Sequence, residues 1–263
     1  MNPAIIEITP GQLALAFLFV LAAGILSLVY GLKLERDLAL GSIRTFVQLV
    51  LLGYLLKFIF NINRVWLVLT VFGIMIIFAA LTIRGRVRER RVSFLGPVLI
   101  SMLFSYFTVS FLVTAVVVAV KPWWTPQYFI PLAGMIVGNS VNAIAISLER
   151  LFSDLRNRRL EVEMMLCLGA DYREASQDIF QNAIRAGMIP SINMMVAAGM
   201  VFIPGMMTGQ ILSGVDPMVA VYYQIVVMLM LVGSTAIGSL LVVRWVRGLC
   251  FGPGHQLLLK PEQ

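Results

Sequence analysis

Apolar residues run through this chain in long blocks, separated by short charged stretches. Seven blocks approach the roughly 20 residues needed to cross about 30 Å of hydrocarbon: 11–30, 38–60, 65–83, 94–120, 128–149, 188–212 and 218–243. The pattern predicts an all-α, polytopic integral membrane protein with about seven transmembrane helices. Short cytoplasmic loops carry excess Lys and Arg, which orients the spans. "RGRVRERR" (84–91), the charged stretch 150–185 and the tail with Arg244, Arg247 and Lys260 are therefore expected inside. "KPWWTPQ" (121–127), with its Trp pair, and the Asp216 turn are expected outside. Seven spans make these assignments consistent, with the N-terminus outside and the C-terminus inside. The loop holding Lys33 and Arg36, offset by Glu35 and Asp37, adds least to that orientation.

Composition agrees with a lipid solvent. The 263 residues are 60% hydrophobic and 13% charged, with a mean hydropathy of +0.92. A soluble globule carries about 25% charged residues. The +7 net charge does not imply nucleic acid, because most arginines fall in the expected inner loops. "MNPAIIEITP" lacks a basic n-region and carries Glu7, so the first span reads as a retained helix. Cys167 and Cys250 both map to the inner side, where thiols stay reduced. His255 is the sole histidine and follows the last span, which excludes a histidine-based intramembrane catalytic or metal centre. No repeat or low-complexity linker divides the chain, so 1–263 reads as one transmembrane domain with a cytoplasmic insertion at 150–187.

That insertion, "RLFSDLRNRRLEVEMMLCLGADYREASQDIFQNAIRAG", is the most informative segment. Leu148, Leu151, Leu155, Val162 and Met165 recur at helical spacings with Arg158 interrupting the row, so the fifth span is expected to continue as an amphipathic helix. Gly169 suits a left-handed helix stop. Asp171, with Glu174 three residues on, resembles a capping box that starts a second helix. Ala175, Ile179, Ala183 and Gly187 line one face of that helix, beside Phe180 and Ile184. The result is a helical elbow that leaves the bilayer and returns to the sixth span. Its apolar "MMLCL" (164–168) is exposed unless a partner covers it.

"EVEMMLCLGADYREA" (161–175) resembles the coupling loop of ABC-transporter permeases, which reads Glu-Ala-Ala, three residues, Gly, then an Ile and a Pro. Glu163, Gly169 and Ile179 keep that spacing, while Met164 and Met165 replace the alanines and Asn182 stands where proline is expected. The chain is more closely similar to the FetB-like permeases, iron-export ABC membrane subunits of the UPF0014 type that also include a plant aluminium-tolerance half-transporter. The resemblance rests on "GMIVGNSVNAIAISLERL", "EVEMMLCLGADYREA", "AIRAGMIPSINMMVAAGMVFIPGMMTGQILSG" and "DPMVAVYYQIVVM", which span most of 134–228. It implies a permease of the bacterial cytoplasmic membrane that exports iron or another metal, paired as a homodimer with a separate ATP-binding subunit. The chain has no G-x-x-x-x-G-K-[ST] sequence, so no cofactor is expected in it, and ATP and Mg are expected on the partner, with ATPase activity there alone. The elbow would seat in the ATPase with Glu163, Gly169, Ala170 and Arg173 as contact residues.

The transport path is expected along the fifth span, where Met135, Asn139, Asn142, Ile146 and Glu149 fall on one helical stripe. Two compatible readings stand: the asparagines line a polar cavity, or they tie helices together while Gly134 and Gly138 permit close packing. Met188, Met194, Met195, Met200, Met206 and Met207 crowd the sixth span. Thioethers can hold soft ions, yet without Cys or His beside them they read first as flexible packing. Pro190, Pro204 and Gly205 are expected to break or kink this segment, with Pro204, Gly205, Met206 and Met207 as a gate. Arg44 and Gln48 lie one turn apart in the second span. Arg44 can snorkel to the surface, but turned inward it would repel a bare cation. A stand-alone secondary transporter or channel is the alternative, and the deep spans offer no acidic pair to couple one.

Overall fold

The computed structural model describes residues 8–89, 92–252, 254 and 256–259. His255 and Lys260 lie outside the described residues, as do Arg90 and Arg91 of the basic loop. The described chain is helical throughout apart from its loops and two isolated bridges, as the hydrophobic blocks predict.

Two compact units are present. The first comprises the N-terminal residues through Asn63 with Leu212–Val215. In it α1 (Pro10–Val29) and α2 (Glu35–Ile62) form an antiparallel hairpin. Thr9 starts α1 through a capping box with Gln12, and Pro10 occupies the first turn, where its missing N–H costs nothing. Phe17 meets Phe46 at 6.3 Å between ring centroids, and Ser27 donates to Glu35 Oε2 at 3.0 Å while accepting from Leu34 N at 2.9 Å. Apart from Ser27 and Ile59, the side chains of α1 and α2 are not buried. So apolar a surface needs hydrocarbon or other apolar helices against it.

The second unit holds α3 (Val65–Arg86), α4 (Leu95–Leu112) with a π-helical extension at Val113–Val117, α5 (Pro126–Asn157), α6 (Arg159–Cys167), α7 (Tyr172–Ala175), α8 (Gln177–Ala197), α9 (Gly205–Leu212) except its last residue, and α10 (Pro217–Leu249). The helix α5 is the axis of this unit and packs against α3, α4, α8 and α10. At its first turn Phe129 joins Phe72 and Trp123 in an aromatic cluster with Phe107 and Phe111. Trp123 of the expected outer loop is thus fastened to the bundle, and Trp124 meets it edge-on at 5.7 Å.

Small hydroxyl residues replace large apolar ones where the helices approach most closely. Ser140 and Ser147 of α5, Ser191 of α8 and Ser234, Thr235 and Ser239 of α10 are all buried. This use of small residues is how helices pack in lipid, where the solvent is as apolar as leucine. At Gly187 of α8, a Cβ would lie 1.9 Å from Ser147 Oγ and 2.6 Å from the Ala143 carbonyl, so the backbones of α5 and α8 nearly touch. At Gly238 of α10 a Cβ would meet the Tyr106 hydroxyl of α4 at 2.7 Å. The pairings Ser147 with Gly187, Asn139 with Ser191 and Gln177 with Arg247 make α8 antiparallel to both α5 and α10.

Among the described residues six helices are long and apolar enough to cross a membrane: α1, α2, α3, α4 with its extension, α5 and α10. The expected sixth span, 188–212, has different bounds. Its helix, α8, begins eleven residues earlier and carries Asp178 and Arg185, which lower its hydropathy. It ends at Ala197, where Ala198 turns extended and Gly199 takes φ +85°, and the chain becomes helical again only at Gly205. Pro190 does not break it. Helix α8 is therefore not among the helices apolar enough to cross a membrane, and the expected sixth span is not found as one continuous helix among the described residues.

Replacing Gly187 with Ala should overpack this crossing and destabilise the protein by about 1–3 kcal/mol. The thermal unfolding midpoint of the detergent-solubilised chain should fall accordingly. Gly73→Ala is the control, since a Cβ at Gly73 meets nothing within 4 Å. An unchanged midpoint for Gly187→Ala would contradict the close approach.

Candidate functional site: a polar helix face and a helical elbow

The stripe predicted on α5 splits into two parts. Asn139 is half-buried, and its Nδ2 donates to Ser191 Oγ at 3.0 Å and Thr235 Oγ1 at 3.2 Å. It ties α5 to α8 and α10. Asn142, Ile146 and Glu149 are exposed, as is Gly138, whose absent Cβ faces open space, while Met135 is half-buried. Asn142 Oδ1 accepts a hydrogen bond from Arg86 of α3. The opposite face, with Ile136, Ala143, Ile144 and Leu148, is the packed one. Gly134 lies against Met75 of α3, so of the two glycines only this one meets a neighbouring helix within the chain.

Toward the end of α5, Glu149 lines a polar cavity of about 310 Å³ with Arg88, Glu89, Phe152 and Arg156. The buried Glu89 carboxylate pairs with Arg156. A second cavity, about 490 Å³ and mainly apolar, lies at the break after α8. Pro204 and Met207 of the expected gate line it, with Met195, Gln224 and Met228. Pro204 is buried and its carbonyl accepts from Thr208 N at 3.0 Å, which starts α9; Gly205 is exposed and Met206 half-buried. The methionines do not form one cluster, for Met200 is 84% exposed while Met195 and Met207 reach the cavity. Among the described residues no group of three or more His, Cys, Asp or Glu is placed to hold a metal. Arg44 and Gln48 are exposed on α2.

The elbow follows its local sequence closely. Leu148, Leu151, Leu155 and Val162 are buried along the predicted stripe, while Met165 at its end is 38% exposed. Helix α5 stops at Asn157, because Arg158 leaves helical geometry, and α6 restarts one residue later. Gly169 adopts φ +96°, and Ala170 N donates back to the Met165 carbonyl at 3.1 Å, a C-cap bond that an L side chain at Gly169 would strain. Asp171 accepts from Glu174 N at 2.7 Å, and Glu174 Oε2 accepts from Asp171 N at 3.2 Å, closing the predicted capping box. The helix it starts, α7, lasts one turn before Ser176 interrupts it, and α8 continues. Glu163 is held by Arg159 at 2.7 Å, and Arg159 also donates to the Leu259 carbonyl at 2.9 Å. Arg173 is exposed and its Nε donates to the Tyr172 hydroxyl at 3.1 Å.

Arg158 was legible only as an interruption, yet it is the clasp of the elbow. Its guanidinium donates to Glu161 Oε2 at 2.8 Å and to Asp178 Oδ2 at 2.9 Å, joining α6 to the start of α8. The hydrogen bonds from Arg158 hold the Glu161 and Asp178 carboxyls below their ordinary range and push the Arg158 guanidinium further up. Apolar side chains nevertheless project from the elbow: Leu160 is 82%, Leu168 77% and Met164 58% exposed.

These features define a class: a polytopic helical integral membrane protein with a charged helical hairpin between two packed helices. Residues 10–251 match the family described as "Uncharacterised protein family (UPF0014)", and the chain belongs to that family. It is 38% identical over 231 residues to a UPF0014 membrane protein of Synechocystis, covering 87% of this chain and 88% of that one. Against the "Probable iron export permease protein FetB" of Escherichia coli it is 30% identical over 255 residues, 96% of each chain. The "Protein ALUMINUM SENSITIVE 3" of Arabidopsis thaliana is 34% identical over 229 residues, 86% of this chain and 82% of the relative. No solved structure matches.

The clasp has a pH signature. With both carboxyls depressed in the folded state, its contribution is present above their unfolded pKa of about 4 and is lost as pH falls through the lower folded values. Thermal unfolding measured from pH 7 to pH 3 should therefore lose stability on the acid side, and Arg158→Met should remove part of that slope. Identical slopes for the two proteins would show that Arg158 does not clasp these carboxylates.

Proposed function

We propose that this chain is the membrane-spanning permease subunit of an ABC exporter. A separate subunit binds and hydrolyses ATP with Mg²⁺, and the assembly contains two of each chain in a cytoplasmic membrane, with the N-terminus outside and the elbow inside. The single observation that carries this reading is the elbow. Its backbone is fixed by the Gly169 stop, the Asp171–Glu174 box and the Arg158 clasp, yet Leu160, Met164 and Leu168 point into solvent. Ordering a hairpin while leaving its apolar side chains uncovered suits a surface that docks. Glu163, Gly169, Ala170 and Arg173 form the rest of that surface.

In this reading nucleotide-driven closure of the partner pushes on α6 and α7 and tilts α5 and α8 together. The open face of α5, with Gly138, Asn142, Ile146 and Glu149, faces the second permease chain across the path. Iron or another metal is the cargo by analogy with the bacterial relative's name. Asn142 and Glu149 supply oxygen donors along that face. Asn139, whose amide bonds across to α8 and α10, positions helices beside it.

The test is co-purification of the tagged chain with its ATP-binding subunit, followed by metal-stimulated ATP hydrolysis in liposomes across several metals. Replacing Leu160, Met164 and Leu168 together with Ser should abolish retention of the ATPase and transport while leaving the thermal midpoint unchanged. A chain that retains no ATPase, and transports normally after this replacement, would exclude the ABC reading.

A further inference from the structure

Beside the elbow lies a pocket of about 400 Å³, lined by Pro97 of α4, Tyr172 and Arg173 of α7, and Arg244, Trp245 and Arg247 near the end of α10. Three guanidinium groups meet there, and Arg247 feels the like charges of both Arg173 and Arg244. Arg247 is only 6% exposed. It lies over the Phe180 ring at 4.2 Å and donates from Nη1 to Gln177 Oε1 at 3.2 Å, but its buried Nε has no hydrogen-bond partner. Among the described residues no carboxylate forms an ion pair with any of the three arginines. Asp171 is near enough to attract Arg247, but its side chain is engaged in capping α7.

A buried cation with an unsatisfied donor, repelled by two neighbouring cations, is costly unless an anion completes it. The pocket sits where α10 leaves its apolar stretch, and Trp245 is 44% exposed beside the arginines, an aromatic and basic pairing typical of the headgroup level. We infer that this pocket binds a phosphate group, supplied by the headgroup of an anionic phospholipid or by a soluble phosphate. Bound there, the phosphate accepts from the exposed Arg244 and Arg173, and its charge offsets that of the buried Arg247 beside them. Because Arg173 and Tyr172 belong to the elbow and Arg244 and Arg247 to α10, the ligand bridges the two. The site does not require the proposed ATP-binding partner, and because Arg173 also belongs to the docking surface, binding is measured on the permease chain alone.

The experiment is native mass spectrometry and equilibrium binding on the purified full chain. Probes are phosphatidylglycerol, phosphatidylcholine and inorganic phosphate, applied to wild type, Arg244→Gln, Arg173→Gln and the control Arg84→Gln, which removes an exposed arginine at the end of α3. Phosphatidylglycerol should bind in preference to phosphatidylcholine, and each pocket variant should weaken it about fivefold more than the control does. Loss of the lipid upon adding inorganic phosphate assigns the site to soluble phosphate, and retention assigns it to the headgroup. No preference for either phosphate probe over phosphatidylcholine, or equal weakening by Arg84→Gln, overturns the inference. Both exposed pocket variants spare Arg247, so folding and binding losses are separable by the thermal midpoint.

Discussion

The packed unit depends on the near-contact of α5 and α8 at Gly187. With a Cβ excluded there by Ser147 and the Ala143 carbonyl, the two backbones run side by side, and the neighbouring polar groups come within bonding reach. Asn139 can then donate to Ser191 and Thr235 at once. A larger residue at 187 would separate the helices and leave those donors and hydroxyls unpaired in an apolar setting, where polar groups are costly to strand. One missing methyl group thus sets the spacing of a three-helix contact.

Mechanical consequences follow from what α5 carries. Its middle bears the open stripe of Asn142, Ile146 and Glu149, and its end leads into the elbow through a single non-helical residue, Arg158. That residue would be a hinge if it were free. Instead its guanidinium is clamped to Glu161 and Asp178, so α6 is tied back to α8, which is itself pressed against α5. Force on the elbow has a continuous packed route to the stripe, and Arg247 of α10, bonded to Gln177 and lying over Phe180, adds a second connection on the other side.

Features encoded within a few residues were legible in the sequence. The apolar blocks located six long helices, because a span of hydrocarbon imposes length on any helix that crosses it. Gly169 and the Asp171–Glu174 pair fixed the elbow's turn through backbone chemistry that needs no distant partner. Contacts between remote positions were not legible. Asn139 and Thr235 are 96 residues apart, and Arg158 and Asp178 are 20 apart on different helices. The end of α8 also escaped, since Pro190 drew attention while the helix ran through it to Ala197. Periodicity separated the two faces of α5, but not which of its asparagines bonds to neighbouring helices and which stays open.

The central claim is that elbow and stripe move as one body. Spin labels at the exposed native Cys167 of α6 and at a cysteine replacing Ile192 of α8 report it directly through their distance in the assembled complex with and without ATP, since Cys250 is buried. The account predicts one unchanged distance within each chain. A shift beyond about 5 Å, the rise of one helical turn, would mean that the elbow moves without carrying α8 along, and would contradict it.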